Sequence, residues 1–151
     1  MTMRTAAWYG DRTFTLALPS SWDATTHWPR TPPALTDAQI ADALARPGGQ
    51  PPICALARGR RRPVVVVDDL NRPTPVPRVM PVVLRHLAAA GIPARDVTIV
   101  VASGTHAPPS IEAIRNKVGP AAAAACRLHA HDARGSDMVS LGRTSFGTPI
   151  L

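Results

Sequence analysis

Aromatic side chains make up only 4% of this 151-residue chain, which leaves little surface for the base stacking that holds single-stranded nucleic acid. Lysine is scarcer still: of the 17 Lys and Arg residues, Lys117 is the only lysine. With abundant alanine and 17 prolines, that skew reads as compositional bias. The formal net charge of +7 is therefore weak ground for a nucleic-acid partner, and none is expected. The one dense basic run, Arg58 to Arg62, precedes an apolar segment, where a solvated turn explains it better than a phosphate-binding patch. Cysteine is nearly absent. Cys54 and Cys126 stand alone, without partners at metal-ligand spacing, and read as small core residues in a reducing compartment. No apolar stretch is long enough for a signal peptide or a membrane span, so the expectation is a cytoplasmic protein without membrane contact. Also missing are a phosphate loop, a nucleophile elbow and the glycine fingerprint of dinucleotide sites.

What is present suits one globular domain with a single sizeable core, since 45% of the residues are apolar. Thr13 to Leu18 alternates, with Phe14, Leu16 and Leu18 on one face of a half-buried edge strand. A Pro-rich connection follows from Pro19 to Pro33. Thr36 and Gln39 form a capping box for a helix that buries Ile40, Ala43 and Leu44 and stops at Pro47-Gly48-Gly49. Ile53 to Arg58 adds a short helical turn. Val64 to Val67 shows no polar alternation, which predicts a strand buried on both faces of a parallel sheet. Val76, Val79, Met80, Val83, Leu84 and Leu87 then recur at helical spacing up to Gly91. Pro81 requires that this helix either start near Pro77 or kink. Val97 to Val101 is the next strand and completes a right-handed βαβ unit. Ile111, Ile114 and Val118 mark a helix closed by Gly119, and the alanines at 121–125 fit either a helix or a connection. Arg127 to Ala130, Met138 to Leu141 and Thr148 to Leu151 read as short strands. The fold class is α/β, Rossmann-like, with a mainly parallel sheet and flanking helices. The apolar ending Pro149-Ile150-Leu151 suggests a domain cut short at its C-terminus.

The chemistry concentrates in two loops that leave these strands, Asp68-Asp69-Leu70-Asn71-Arg72-Pro73 and Gly104-Thr105-His106-Ala107-Pro108. In an open α/β sheet the carboxyl ends of the strands are where ligands bind. Arg72 brings a planar fork of donors that matches a carboxylate, although Asp68 or Asp69 could engage it structurally instead. His106 is a candidate general acid or base, with Gly104 beside it permitting close approach of a ligand. His129 and His131 form an H-x-H pair that, with Cys126 and Asp132, makes a conceivable metal half-site of poor ligand spacing.

The text VVVVDDLNRPTPVPRVMPVVLRHL, with an acidic D-x-x-R-P loop between strand and helix, and VVASGTHAPPSIEAIRNKVG, with A-[ST]-G-x-H-x-P and a helix ending in K-x-G, resemble the nickel-dependent lactate racemase family in its N-terminal domain. Those enzymes use a nickel pincer nucleotide to racemise or epimerise small 2-hydroxy acids. The resemblance implies that Arg72 binds the substrate carboxylate and that His106 is one of two acid/base histidines. Asp69 would position substrate, cofactor or Arg72. In the family's reaction a histidine removes the hydroxyl proton while hydride leaves Cα for the pincer ring, and its return to the other face inverts the centre. The resemblance also implies that the second histidine, the cofactor-bearing lysine, the nickel-ligating histidine and the second domain lie beyond Leu151. No metal ligand is then expected within residues 1–151, the cofactor-binding residues stay unassigned, and the isolated chain should be inactive without its C-terminal part. Two other readings stay open: a stand-alone Rossmann-like module that binds a carboxylate or nucleotide without chemistry, and a nucleic-acid binder driven by charge.

Overall fold

The computed structural model describes residues 1–4, 13–27, 30, 32–136 and 138–150, in two compact units, Met1–Thr36 and Asp37–Leu151. In the first unit, Thr2–Arg4 (β1) pairs antiparallel with Thr13–Thr15 (β2), Met3 opposite Phe14. The alternation at 13–18 therefore gives a strand of three residues, and its apolar face is not buried: Phe14 is 53% exposed. A two-stranded ribbon offers no second layer to pack on.

The second unit begins with Asp37–Ala45 (α1), directly after Thr36, and buries Ile40 with Leu44 half-buried, while Ala43 faces solvent. Ile53–Leu56 (α2) is a single turn. Val64–Asp68 (β3), Val76–Ala89 (α3), Thr98–Ala102 (β4), Ile111–Val118 (α4), Pro120–Ala125 (α5) and Arg127–Ala130 (β5) follow, with a 3₁₀ turn at Ala94–Asp96. The strands form a parallel sheet in the order β3-β4-β5. Its register sets Val65 beside Ile99 and Leu128, and Val67 beside Val101 and Ala130. These residues make one face, which packs against Val76 and Met80 of α3, Ile114 and Val118 of α4, and Ala122 of α5. Ile99, Ile114, Val101 and Val118 are almost fully enclosed, each worth about 1.5–3 kcal/mol of apolar burial.

The sheet departs from the expectation on its other face. Val64 and Val66 are 58% and 65% exposed, so the valine run is buried on one side only. Two right-handed crossovers that step the same way, β3 to β4 and β4 to β5, lay their helices on one side of a sheet. α3 starts at Val76, with Pro77 in its first turn, where a missing N–H costs nothing, and it runs unbroken through Pro81 in its second turn. The alanines at 121–125 are helical. Met138 to Leu141 is not a strand. Instead Gly142–Arg143 (β6) and Pro149–Ile150 (β7) form a hairpin whose turn is closed by the Gly147 N–H on the Thr144 carbonyl at 2.9 Å. That turn selects the paired residues, and Val139 and Leu141 stay exposed.

Gly119 joins α4 to α5 at φ +87°, a conformation open to glycine, and a Cβ there would stand 3.1 Å from the Pro77 Cβ at the start of α3. Gly119→Ala combines positive-φ strain with that clash. Chemical denaturation is expected to show a loss of about 1–3 kcal/mol; an unchanged midpoint would contradict the role given to this junction.

Candidate active site

Asp68 at the end of β3 is in register with Ala102 at the end of β4, so the loops that leave them are neighbours at the carboxyl edge of the sheet. The first loop turns at once. The Arg72 N–H donates to the Asp69 carbonyl at 2.9 Å, and the Asp69 side chain accepts the Leu70 N–H at 2.7 Å and the Asn71 amide at 3.3 Å. The second loop turns on Gly104, whose φ of +58° lets the His106 N–H reach the carbonyl of buried Ser103 at 3.1 Å. The two turns bring His106 Nδ1 to 2.6 Å from Asp69 Oδ2.

This pair is asymmetric: the Asp69 side chain is 14% exposed and the His106 side chain 62%. The carboxylate is the tucked, fixed partner, and the ring projects outward. Burial by itself would raise the Asp69 pKa, but the hydrogen bond from His106, the Leu70 N–H, the histidine's charge and the Asn71 amide together hold it below its ordinary value. Asp69 is thus an anion at neutral pH and accepts a proton-bearing Nδ1. Nε2 is left as the ring atom that can take or give a proton.

Arg72 is exposed, and among the described residues no hydrogen bond or ion pair reaches its guanidinium. The structural alternative for it, a pair with Asp68 or Asp69, is not what forms, because both carboxylates are engaged elsewhere. Asp69 holds His106. Asp68 accepts the Thr74 hydroxyl at one oxygen, and its other oxygen lies 3.0 Å from Lys117 Nζ, an ion pair without the angle of a hydrogen bond. Burial would raise the Asp68 pKa, yet the Thr74 hydroxyl and the Lys117 ammonium outweigh it and hold it low.

Lys117 was given no role by the sequence, and it is a central piece of this edge. Its side chain is 5% exposed, and Nζ donates to the Arg72 carbonyl at 2.8 Å as well as facing Asp68. Two signals pointed to it: it is the only lysine of the chain, and it stands three residues after Ile114 on the buried side of α4. The H-x-H pair does not assemble. His129 is exposed on β5, His131 lies past the strand end, and among the described residues no three His, Cys, Asp or Glu side chains converge as metal ligands. Cys54 and Cys126 are both free and half-buried; burial against the core pushes the Cys126 thiol pKa up. No described helix is long and apolar enough to cross a membrane.

A two-loop edge of this kind invites comparison with known proteins, and the lactate racemase N-terminal domain matches residues 9–151. The chain belongs to that family. A lactate racemase from Lactiplantibacillus plantarum is 35% identical over 80 residues, which cover 53% of this chain and 19% of that protein. The lactate racemase apoprotein from Thermoanaerobacterium thermosaccharolyticum shares the fold with a TM-score of 0.65 at 24% identity, over 75% of this chain and 27% of the other. The chain thus spans about a fifth to just over a quarter of the length of these lactate racemases. The α/β, Rossmann-like class read from the sequence holds, with its helices on one face of the sheet.

Proposed function

We propose that this chain supplies the carboxylate anchor and one acid/base histidine of a racemase or epimerase of small 2-hydroxy acids. The observation that carries the reading is the Asp69–His106 contact on the same sheet edge as a guanidinium with no partner among the described residues. Arg72 would take the substrate carboxylate on two parallel N–H donors. His106 Nε2 would take the proton of the adjacent hydroxyl, and Asp69 would hold the ring's orientation and stabilise the imidazolium that forms. A binding module without chemistry needs an Arg72 but has no use for a carboxylate-oriented histidine beside it.

Acceptance of the Cα hydride is the chemistry that a nickel pincer nucleotide would supply. The residues described here do not fit that group. The one lysine is enclosed against Asp68 and the Arg72 carbonyl, and among the described residues no set of three metal-ligating side chains is assembled. Residues outside these 151 would hold it, in a protein of the length of the matched relatives. Interconversion of lactate enantiomers by the full-length protein tests the reading, with Asp69→Asn as its probe. The substitution weakens a charge-assisted hydrogen bond worth about 1.5–3 kcal/mol, so racemisation should fall about ten- to a hundredfold. An Asp69→Asn enzyme as fast as the parent would refute the acid/base assignment.

A further inference from the structure

We propose that Lys117 is a positioning residue for substrate binding: its buried ammonium fixes the backbone at Arg72, and through it the direction of the guanidinium. The inference rests on Arg72 being the carboxylate anchor. Because among the described residues no hydrogen bond or ion pair restrains the guanidinium, its aim depends on the backbone that carries it. That backbone is held by one bond on each side, the Arg72 N–H on the Asp69 carbonyl at 2.9 Å and the Arg72 carbonyl on Lys117 Nζ at 2.8 Å. The same ammonium lies 3.0 Å from Asp68, the last residue of β3, and the other Asp68 oxygen accepts from Thr74 at the far end of the loop. One buried cation therefore ties the strand end, the middle of the loop and, through Asp68, its exit.

The placement of Lys117 is itself fixed. It sits in the last turn of α4, and two residues later Gly119 seats the helix end against Pro77. The chemistry of the position is also selective. In a chain whose other basic residues are all arginine, the enclosed site next to a carbonyl and a carboxylate carries the compact ammonium, not the wide planar fork.

The test is steady-state kinetics of the full-length holoenzyme with lactate, comparing Lys117→Met, Asp68→Asn/Lys117→Met, Arg72→Lys and the Arg72→Lys/Lys117→Met double variant. Lys117→Met leaves Asp68 without its counter-charge and is at risk of misfolding. The Asp68→Asn/Lys117→Met pair removes both charges and keeps the measurement possible. The expected result is a KM for lactate raised about tenfold or more with kcat within about threefold. The expected KM of Arg72→Lys/Lys117→Met is within about threefold of Arg72→Lys alone, because the lysine acts through the arginine. A residue that only stabilises the fold would lower the melting temperature and the yield of active enzyme and leave KM where it was. Wild-type KM in the folded Asp68→Asn/Lys117→Met enzyme, or a double variant whose KM is the product of the two single effects, overturns the proposal while leaving the anchor intact. An Arg72→Lys enzyme of unchanged KM removes the anchor, and the role of Lys117 falls with it.

Discussion

His106→Ala is expected to slow lactate racemisation by the full-length protein by about 10²–10⁴-fold, the usual contribution of a positioned proton carrier. The substitution is a clean probe because the ring is 62% exposed and contributes nothing to the core, so the melting temperature should hardly move. The Asp69 carboxylate keeps its Leu70 and Asn71 hydrogen bonds when the ring is gone, and the first turn should survive. Substrate binding is expected to stay within about threefold of the parent, because the proposed carboxylate anchor, Arg72, is a different residue on a different loop. A kcat close to the parental one would exclude His106 as an acid or base. A fall in affinity with unchanged kcat would recast it as a binding residue.

Much of this edge was legible in the sequence because its determinants are local. Four consecutive valines at 64–67 and the β-branched run at 97–101 specify strands whatever surrounds them, and Asp69, Arg72, Gly104 and His106 follow those strands directly. Glycines at 91 and 119 ended helices where expected. The exposure of Val64 and Val66 was not legible, since a short apolar run looks alike whether one face or both are covered, and only the sequence of crossovers decides. The strand expected at Met138–Leu141 lost to a hairpin set by the turn before Gly147. Lys117 escaped because its partners lie far back in the chain, with the Arg72 carbonyl 45 positions earlier. Helical periodicity identifies a buried face but does not say which polar group a charge on that face will meet. The pairing of Asp69 with His106 across 37 positions has the same character: each residue was visible alone, and their contact follows from two separate turns on adjacent strands.

Arg72→Lys separates binding from chemistry on the other loop. Lysine keeps the positive charge but presents a point donor where arginine presents two parallel N–H groups, so one of two charge-assisted hydrogen bonds to the substrate carboxylate is lost. Such a bond is worth about 1.5–3 kcal/mol, which corresponds to a KM for lactate raised about ten- to a hundredfold. The guanidinium has no partner among the described residues, so the change strips none of the bonds described, and the melting temperature should not shift. The carboxylate is remote from the bond that changes, and its contacts are the same before and during reaction, so kcat should stay within about threefold. Lactate saturation curves in both directions measure this. If kcat dropped with KM unchanged, Arg72 would be acting on the reacting centre and not on the carboxylate. If neither moved, the substrate acid would be held by some other cation, and the open guanidinium at this sheet edge would have no part in binding it.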